Sequence, residues 1–210
     1  MFRHIHTLTA VAAFALSLGS ASAFAGTNTY DFGSVQGAAT PTTIGLATFS
    51  SSSDPGTFTF GPNTGLYTNL GAFTLSEAGF GGATLNIAFS APQTAVNFNF
   101  SLGDFFASAS NGPDTLTLKT NTGTTVTATA LPVGGDFYPE GTLNLSGTNS
   151  FSSVAISSSA AYPITIADMT SITAAVPEPG EYMLMLMGFG LTGFFAVRRK
   201  NNSSNMFMAA

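Results

Sequence analysis

Cysteine and tryptophan are absent from this chain of 210 residues, and basic side chains are few. Five Lys and Arg residues face ten Asp and Glu residues, which gives a formal net charge of −5. Without cysteine there is no disulfide, so the fold must be stabilised by burial of apolar side chains. Nucleic-acid binding requires clustered Lys or Arg to displace counterions from phosphates, so the sequence excludes nucleic acid as a partner.

The amino terminus is typical of a cleavable secretory signal. It has a positive charge at Arg3, a short apolar stretch over 8–18 and small residues at the exit. We predict a signal peptide over 1–25, cleaved after Ala25, with cleavage after Ala23 as the second choice. The alternative is an uncleaved amino-terminal anchor.

Loss of this segment also removes both histidines of the chain. A domain without His and Cys has no Ser-His-Asp triad, no Cys-His pair and no ordinary zinc site. A glycosidase needs only two carboxylates, and four acids are candidates for that role: Asp104, Asp114, Asp136 and Glu140. Each adjoins glycine or proline as turn residues do, so we predict a protein that is not an enzyme. The sequence leaves calcium open as a cofactor, since loop carboxylates are suitable ligands for it. No ligand residues are assigned to it, and no metal site is predicted.

The middle of the chain alternates apolar and polar residues with a period of two, which predicts half-buried antiparallel strands. The segments with this pattern are 57–60, 85–89, 96–102, 115–118, 125–128, 143–145 and 164–166. Turn residues rich in Gly, Pro and Asn separate them, and Ser50–Ser53 and Ser157–Ser159 are expected to be loops. We predict a single all-β domain over 26–175, an antiparallel β-sandwich or jelly roll. The alternative, a disordered stalk, is disfavoured because most of the 20 phenylalanines lie here.

Exposed aromatic residues could bind carbohydrate by stacking on sugar rings. The candidates, all in or near predicted loops, are Tyr67, Phe105, Phe106, Phe137 and Tyr138. We favour the alternative that they pack their loops onto the core, since aromatic side chains contribute mainly through burial. Lys119 lies on a predicted strand and is expected at the surface.

Three elements follow one another at the carboxyl end: Pro177-Glu178-Pro179, an uncharged apolar run over 182–197, and Arg198-Arg199-Lys200. A helix of about sixteen residues reaches about 24 Å, against roughly 30 Å of hydrocarbon. We therefore predict a marginal transmembrane helix over 182–197. The basic cluster should remain cytoplasmic, followed by a short tail over 201–210.

This order of elements resembles the PEP-CTERM sorting signal of Gram-negative bacteria, over about 175–200. The resemblance implies export by the secretion machinery, transient anchoring in the membrane and recognition by a membrane exosortase that cleaves at or near the motif. Pro177, Glu178 and Pro179 would be recognition residues, and the passenger would reach the cell surface or the exopolysaccharide matrix. The alternative function is an exopolysaccharide-binding module in the same location, and a glycosidase is the least favoured.

Overall fold

The computed structural model describes residues 25–52, 57–78, 82–103, 114–133, 138–147, 149–159, 163–175 and 185–195. The chain divides into two compact units. One is Ala25–Ala174, and the other comprises Met1–Phe24 and Ala175–Ala210.

The first unit is built of antiparallel strands, as predicted. In the described residues they are β1 (Thr27–Thr29), β2 (Thr42–Ile44), β3 (Ala47–Ser51), β4 (Phe58–Pro62), β5 (Phe73–Glu77), β6 (Leu85–Leu102), β7 (Thr115–Thr120), β8 (Thr125–Thr129), β9 (Glu140–Leu145), β10 (Phe151–Ser158) and β11 (Ile164–Thr173). One short 3-10 helix, Phe32–Val35, follows β1. The strand pattern of the sequence thus gives the correct fold class.

Strand β6 belongs to two layers of a β-sandwich-like fold. Its first half pairs with β3 and β10, and its second half pairs with β11 and β9. One layer therefore runs β2-β3-β6-β10-β7-β8 and the other β4-β5-β11-β6-β9, with β1 beside the end of β11. The change of partners occurs near Pro92, which has no amide hydrogen to donate to a ladder. The two strands predicted over 85–89 and 96–102 are consequently one continuous strand.

The core is dominated by phenylalanine. Six phenylalanine side chains are fully buried: Phe49, Phe58, Phe60, Phe98, Phe100 and Phe151. Phe32, Phe49 and Phe60 meet edge to face, with ring centroids 5.4 to 5.7 Å apart. Such pairs contribute about 0.5–1.5 kcal/mol each beyond burial of their area. This packing stabilises a domain that has no disulfide.

Two serine-rich segments expected to be loops extend the strands instead. Ser50 and Ser51 lie in β3, and Ser157 and Ser158 lie in β10. Ser50 pairs with Asn86, and Ser157 pairs with Thr117. The prediction of loops was wrong at these four residues because backbone pairing with distant strands outweighs the local preference of serine for turns.

The carboxyl-terminal unit contains a helix over 185–195, whose side chains are almost all exposed. The predicted transmembrane segment, 182–197, extends beyond it into residues that lie outside the described ones. No helix in the described part of the chain is long and apolar enough to cross a membrane. Residues 1–24 of the predicted signal peptide, the Pro-Glu-Pro motif, the basic cluster and the tail also lie outside the described residues.

Candidate functional site

The connection between β4 and β5, residues 63–72, is organised by its first side chain. The Asn63 amide nitrogen donates to the carbonyl oxygens of Tyr67 and Leu70, at 3.1 and 3.0 Å. Its amide oxygen accepts the N–H of Gly65, at 3.0 Å. Gly65 adopts a φ of +83°, which costs glycine little. The loop is therefore a closed unit that presents Tyr67, Thr68 and Asn69 together.

The buried carboxylate of Glu140 holds this loop against the layer that contains β5, β11, β6 and β9. Glu140, at the start of β9, is 4 % exposed. Its two carboxylate oxygens accept the N–H groups of Thr68 at 2.7 Å and Asn69 at 2.8 Å. The sequence predicts Glu140 in a turn, and this prediction is wrong because Glu140 is the first residue of β9. Glu140 is also one of the candidate acids of a glycosidase. Both oxygens are engaged in fixing the loop.

Asn99, on β6, joins the loop to two further strands. Its amide nitrogen donates to the Asn69 carbonyl oxygen at 3.1 Å and to Asp168 Oδ2 at 3.2 Å. Its amide oxygen accepts the Thr142 hydroxyl at 2.9 Å. All three neighbours come from different parts of the sequence. Asn99 therefore acts as the meeting point of the loop, β9 and β11.

Asp168 stands at an irregularity of β11, where the register shifts between Ala167 and Thr170. Its φ of +53° lies in the left-handed region, which is uncommon for residues other than glycine but which aspartate tolerates better than most. Its carboxylate lies against Gly71, where a side-chain methyl would overlap Asp168 Oδ1. The glycine and the unusual backbone conformation together bring the carboxylate to Asn99.

Two tyrosines lie at the edge of this assembly. The rings of Tyr67 and Tyr138 have centroids 5.6 Å apart and are tilted by 45°, and both side chains are half-buried. The Tyr67 hydroxyl is hydrogen-bonded to Thr165 Oγ1 at 3.2 Å. Burial raises the Tyr67 pKa above its ordinary value of 10.0, against the opposing effect of the Thr165 hydrogen bond. These two are the members of the set of five carbohydrate-binding candidates that the structure describes, and they are in contact with each other.

Of the remaining sequence candidates, the structure describes two, Lys119 and Asp114. Lys119 is exposed on β7, as predicted, and Asp114 is half-buried just before the same strand. Asp104, Asp136, Phe105, Phe106 and Phe137 lie outside the described residues. In the part of the chain that the structure describes, no three His, Cys, Asp or Glu side chains are grouped as metal ligands would be.

Sequence reasoning missed the roles of Asn99 and Asp168. The alternation of 96–102 placed Asn97, Asn99 and Ser101 on the polar face, which is the one signal available for Asn99. Ser101 lies on that polar face yet is 1 % exposed, and its hydroxyl donates to the Pro139 carbonyl oxygen. Nothing local in the sequence marks Asp168.

The carboxyl-terminal segment is recognised independently of the sandwich. A family model described as the PEP-CTERM protein-sorting motif matches residues 175–200. The predicted resemblance is thereby confirmed for this segment. A comparison with curated proteins finds no match.

Solved structures to which this chain is similar include carbohydrate-binding and adhesin domains. A mutant of CBM29-2, a family 29 carbohydrate binding module, is 11 % identical over 71 % of this chain and 87 % of its own, with a TM-score of 0.40. The K2 cleaved adhesin domain of Lys-gingipain is 12 % identical over 69 % of this chain and 97 % of its own, with a TM-score of 0.45.

Proposed function

We propose that this chain is an exported, non-enzymatic protein of the cell surface or extracellular matrix, sorted by an exosortase through its carboxyl-terminal motif. The observation that carries the proposal is the PEP-CTERM match over residues 175–200. Within that segment the Pro-Glu-Pro motif precedes the apolar run, and the basic cluster ends it.

The order of the elements defines a route. The segment 1–25 directs the chain to the secretion machinery and is removed after Ala25. The apolar helix then holds the chain in the inner membrane, with Arg198, Arg199 and Lys200 on the cytoplasmic side because basic residues resist translocation. The exosortase breaks a peptide bond at or near Pro177–Pro179. When water is the acceptor, the released domain ends in a new carboxylate.

The chemistry of the sandwich supports a role other than catalysis. Glu140 and Glu77 are the buried carboxylates in the described residues. Glu77 accepts the N–H groups of Ala83 and Ile164, at 2.9 and 3.2 Å, just as Glu140 accepts those of the β4–β5 loop. Both acids therefore act as hydrogen-bond acceptors for backbone N–H groups.

Fractionation of cells with and without the exosortase tests the sorting. We expect a shortened domain at the surface or in the medium of the first strain, and full-length chain in the inner membrane of the second. Replacement of Pro177, Glu178 and Pro179 by alanine should reproduce the second result in the first strain. The matched control replaces Asn201 and Asn202, which should leave sorting intact. Full-length chain in the inner membrane of both strains would refute the proposal.

Binding of exopolysaccharide is the second candidate function, and it is favoured by the contact between Tyr67 and Tyr138. The two half-buried rings come from separate loops and lie beside an assembly of amide, hydroxyl and carboxylate groups. Such a combination suits a sugar ring, whose faces pack on aromatics and whose hydroxyls need hydrogen-bond partners.

Affinity electrophoresis through the producing organism's own polysaccharide tests this candidate. Alanine at Tyr67 or Tyr138 should lower the affinity for the polysaccharide about tenfold or more, as loss of a central aromatic contact does. The lower affinity would be seen as reduced retardation. Tyr67→Phe keeps the ring and is the matched control, which should retain binding. Equal retardation of all variants, or none of the unaltered protein, would refute a site at these tyrosines.

A further inference from the structure

The first and the last strand of the sandwich domain lie next to each other. Strand β1 pairs with the last residues of β11, Thr27 opposite Ile172, and the Thr173 N–H donates to the Gly26 carbonyl oxygen at 2.9 Å. The matched sorting segment begins two residues later, at 175. The first residues of the domain therefore lie next to the residues that lead into the sorting motif.

Three contacts hold the end of β11 in place. Besides the bond to Gly26, the Asn28 amide nitrogen donates to Thr173 Oγ1 at 2.7 Å. The Ala174 N–H donates to the Pro92 carbonyl oxygen at 2.8 Å. We call these three contacts the terminal clasp. They fix the chain up to Ala174 and leave only Ala175 and Val176 as a spacer before Pro177.

This spacer is short for a protease substrate. Three residues, from Ala174 to Pro177, span at most about 11 Å when fully extended. A cleft that binds extended chain beyond Val176 on the amino-terminal side of Pro177 reaches Ala174 and Thr173, which belong to the terminal clasp. Access of such a cleft to the motif thus requires the clasp to open locally.

We propose that the terminal clasp limits the rate at which the exosortase cleaves this chain, an inference that rests on the sorting proposed above. Asn28 is then a positioning residue for that step. Local openings of this kind occur without global unfolding and depend on the few contacts that are broken. Loss of one hydrogen bond shifts such an equilibrium about fivefold. Cleavage should accelerate by the same factor when opening precedes it.

Pulse-chase labelling of the full chain in cells containing the exosortase measures the effect. Asn28→Ala should raise the cleavage rate about fivefold. Insertion of Gly-Ser-Gly-Ser after Ala175 should raise the rate at least as much and make Asn28→Ala silent, because the longer spacer bypasses the clasp. Asn121→Ala is the matched control. It removes an asparagine side chain that bonds Ser152 and Ser153, and it should leave the rate within twofold.

Hydrogen exchange of the uncleaved chain gives a second readout. In Asn28→Ala, exchange of the Thr173 and Ala174 amides should accelerate about fivefold while that of Phe98 is unchanged. If the parent chain is processed normally and the cleavage rate is unaltered in both the Asn28→Ala and the insertion variants, the proposed role of the terminal clasp is wrong, and the proposed sorting stands. A parent chain that is never cleaved would instead overturn the proposed sorting.

Discussion

Replacement of Glu140 by glutamine tests how the β4–β5 loop is held. The carboxylate is 4 % exposed and accepts two backbone N–H groups, at 2.7 and 2.8 Å. Glutamine has nearly the same shape but only one acceptor oxygen. Its amide group would face one of the two N–H donors, so that one hydrogen bond is lost and the other becomes neutral.

The cost follows from the strengths of the bonds. A hydrogen bond to a charged group contributes about 1.5–3 kcal/mol and a neutral one about 1 kcal/mol. Exchange of two charged bonds for one neutral bond should lower the free energy of unfolding by about 2–5 kcal/mol. This is a large fraction of the roughly 5–15 kcal/mol that a domain has in total.

Urea unfolding of the unit Ala25–Ala174 measures the loss, which should shift the midpoint by about 1–2 M. Exchange of the Thr68 and Asn69 amides should accelerate in the same variant. Asp31→Asn is the matched control, since the exposed Asp31 caps a 3-10 helix and asparagine caps equally well. A Glu140→Gln protein within about 0.5 kcal/mol of the parent, with unchanged exchange at both amides, would refute the clamp.

Three further predictions concern packing and pH. Gly71→Ala should destabilise the domain by about 1–3 kcal/mol in urea unfolding, because the added methyl meets the Asp168 carboxylate. In the control Gly61→Ala the added methyl meets open space, so this variant should be as stable as the parent or more stable. Equal destabilisation by the two substitutions would contradict the prediction. Phe98→Ala should cost about 3–5 kcal/mol by the same assay, whereas Lys119→Ala, on the exposed face of β7, should stay within about 0.5 kcal/mol. The pKa values of Tyr30 and Tyr67 are raised above 10.0, chiefly by burial. The stability they contribute is thus fully present below about pH 10 and is lost as the pH rises through their folded-state pKa values. Tyr67→Phe should reduce that alkaline loss in pH-dependent unfolding, and an unchanged profile would contradict the assignment.

The strands were predictable because their signal is local. Val96, Phe98 and Phe100 alternate with polar residues, and each is fully buried in β6. Alternation reports which face of a strand is buried whichever strands lie beside it. That information suffices for the fold class and for the surface position of Lys119.

The continuity of β6 and the loop site were not predictable in the same way. Pro92 reads as a strand end, yet the chain continues because each half of β6 finds partners elsewhere in the sequence. Glu140 reads as a turn acid, but its two bonds reach Thr68 and Asn69, across 72 and 71 residues of chain. Contacts of this range depend on the complete packing of the layers, which no short pattern in the sequence encodes.

The motif at the carboxyl end was recognisable because it is read linearly. Its proline pair, apolar run and basic cluster occur in order within 175–200, and the family model matches the same residues. No tertiary contact is needed to identify it.

Intact-mass measurement of the protein recovered from the surface and the medium tests the sorting claim most directly. We expect a chain that begins at Gly26 and ends at or near Pro177–Pro179, without the apolar helix and the basic cluster. Recovery of a chain that still carries Arg198, Arg199 and Lys200 would contradict it.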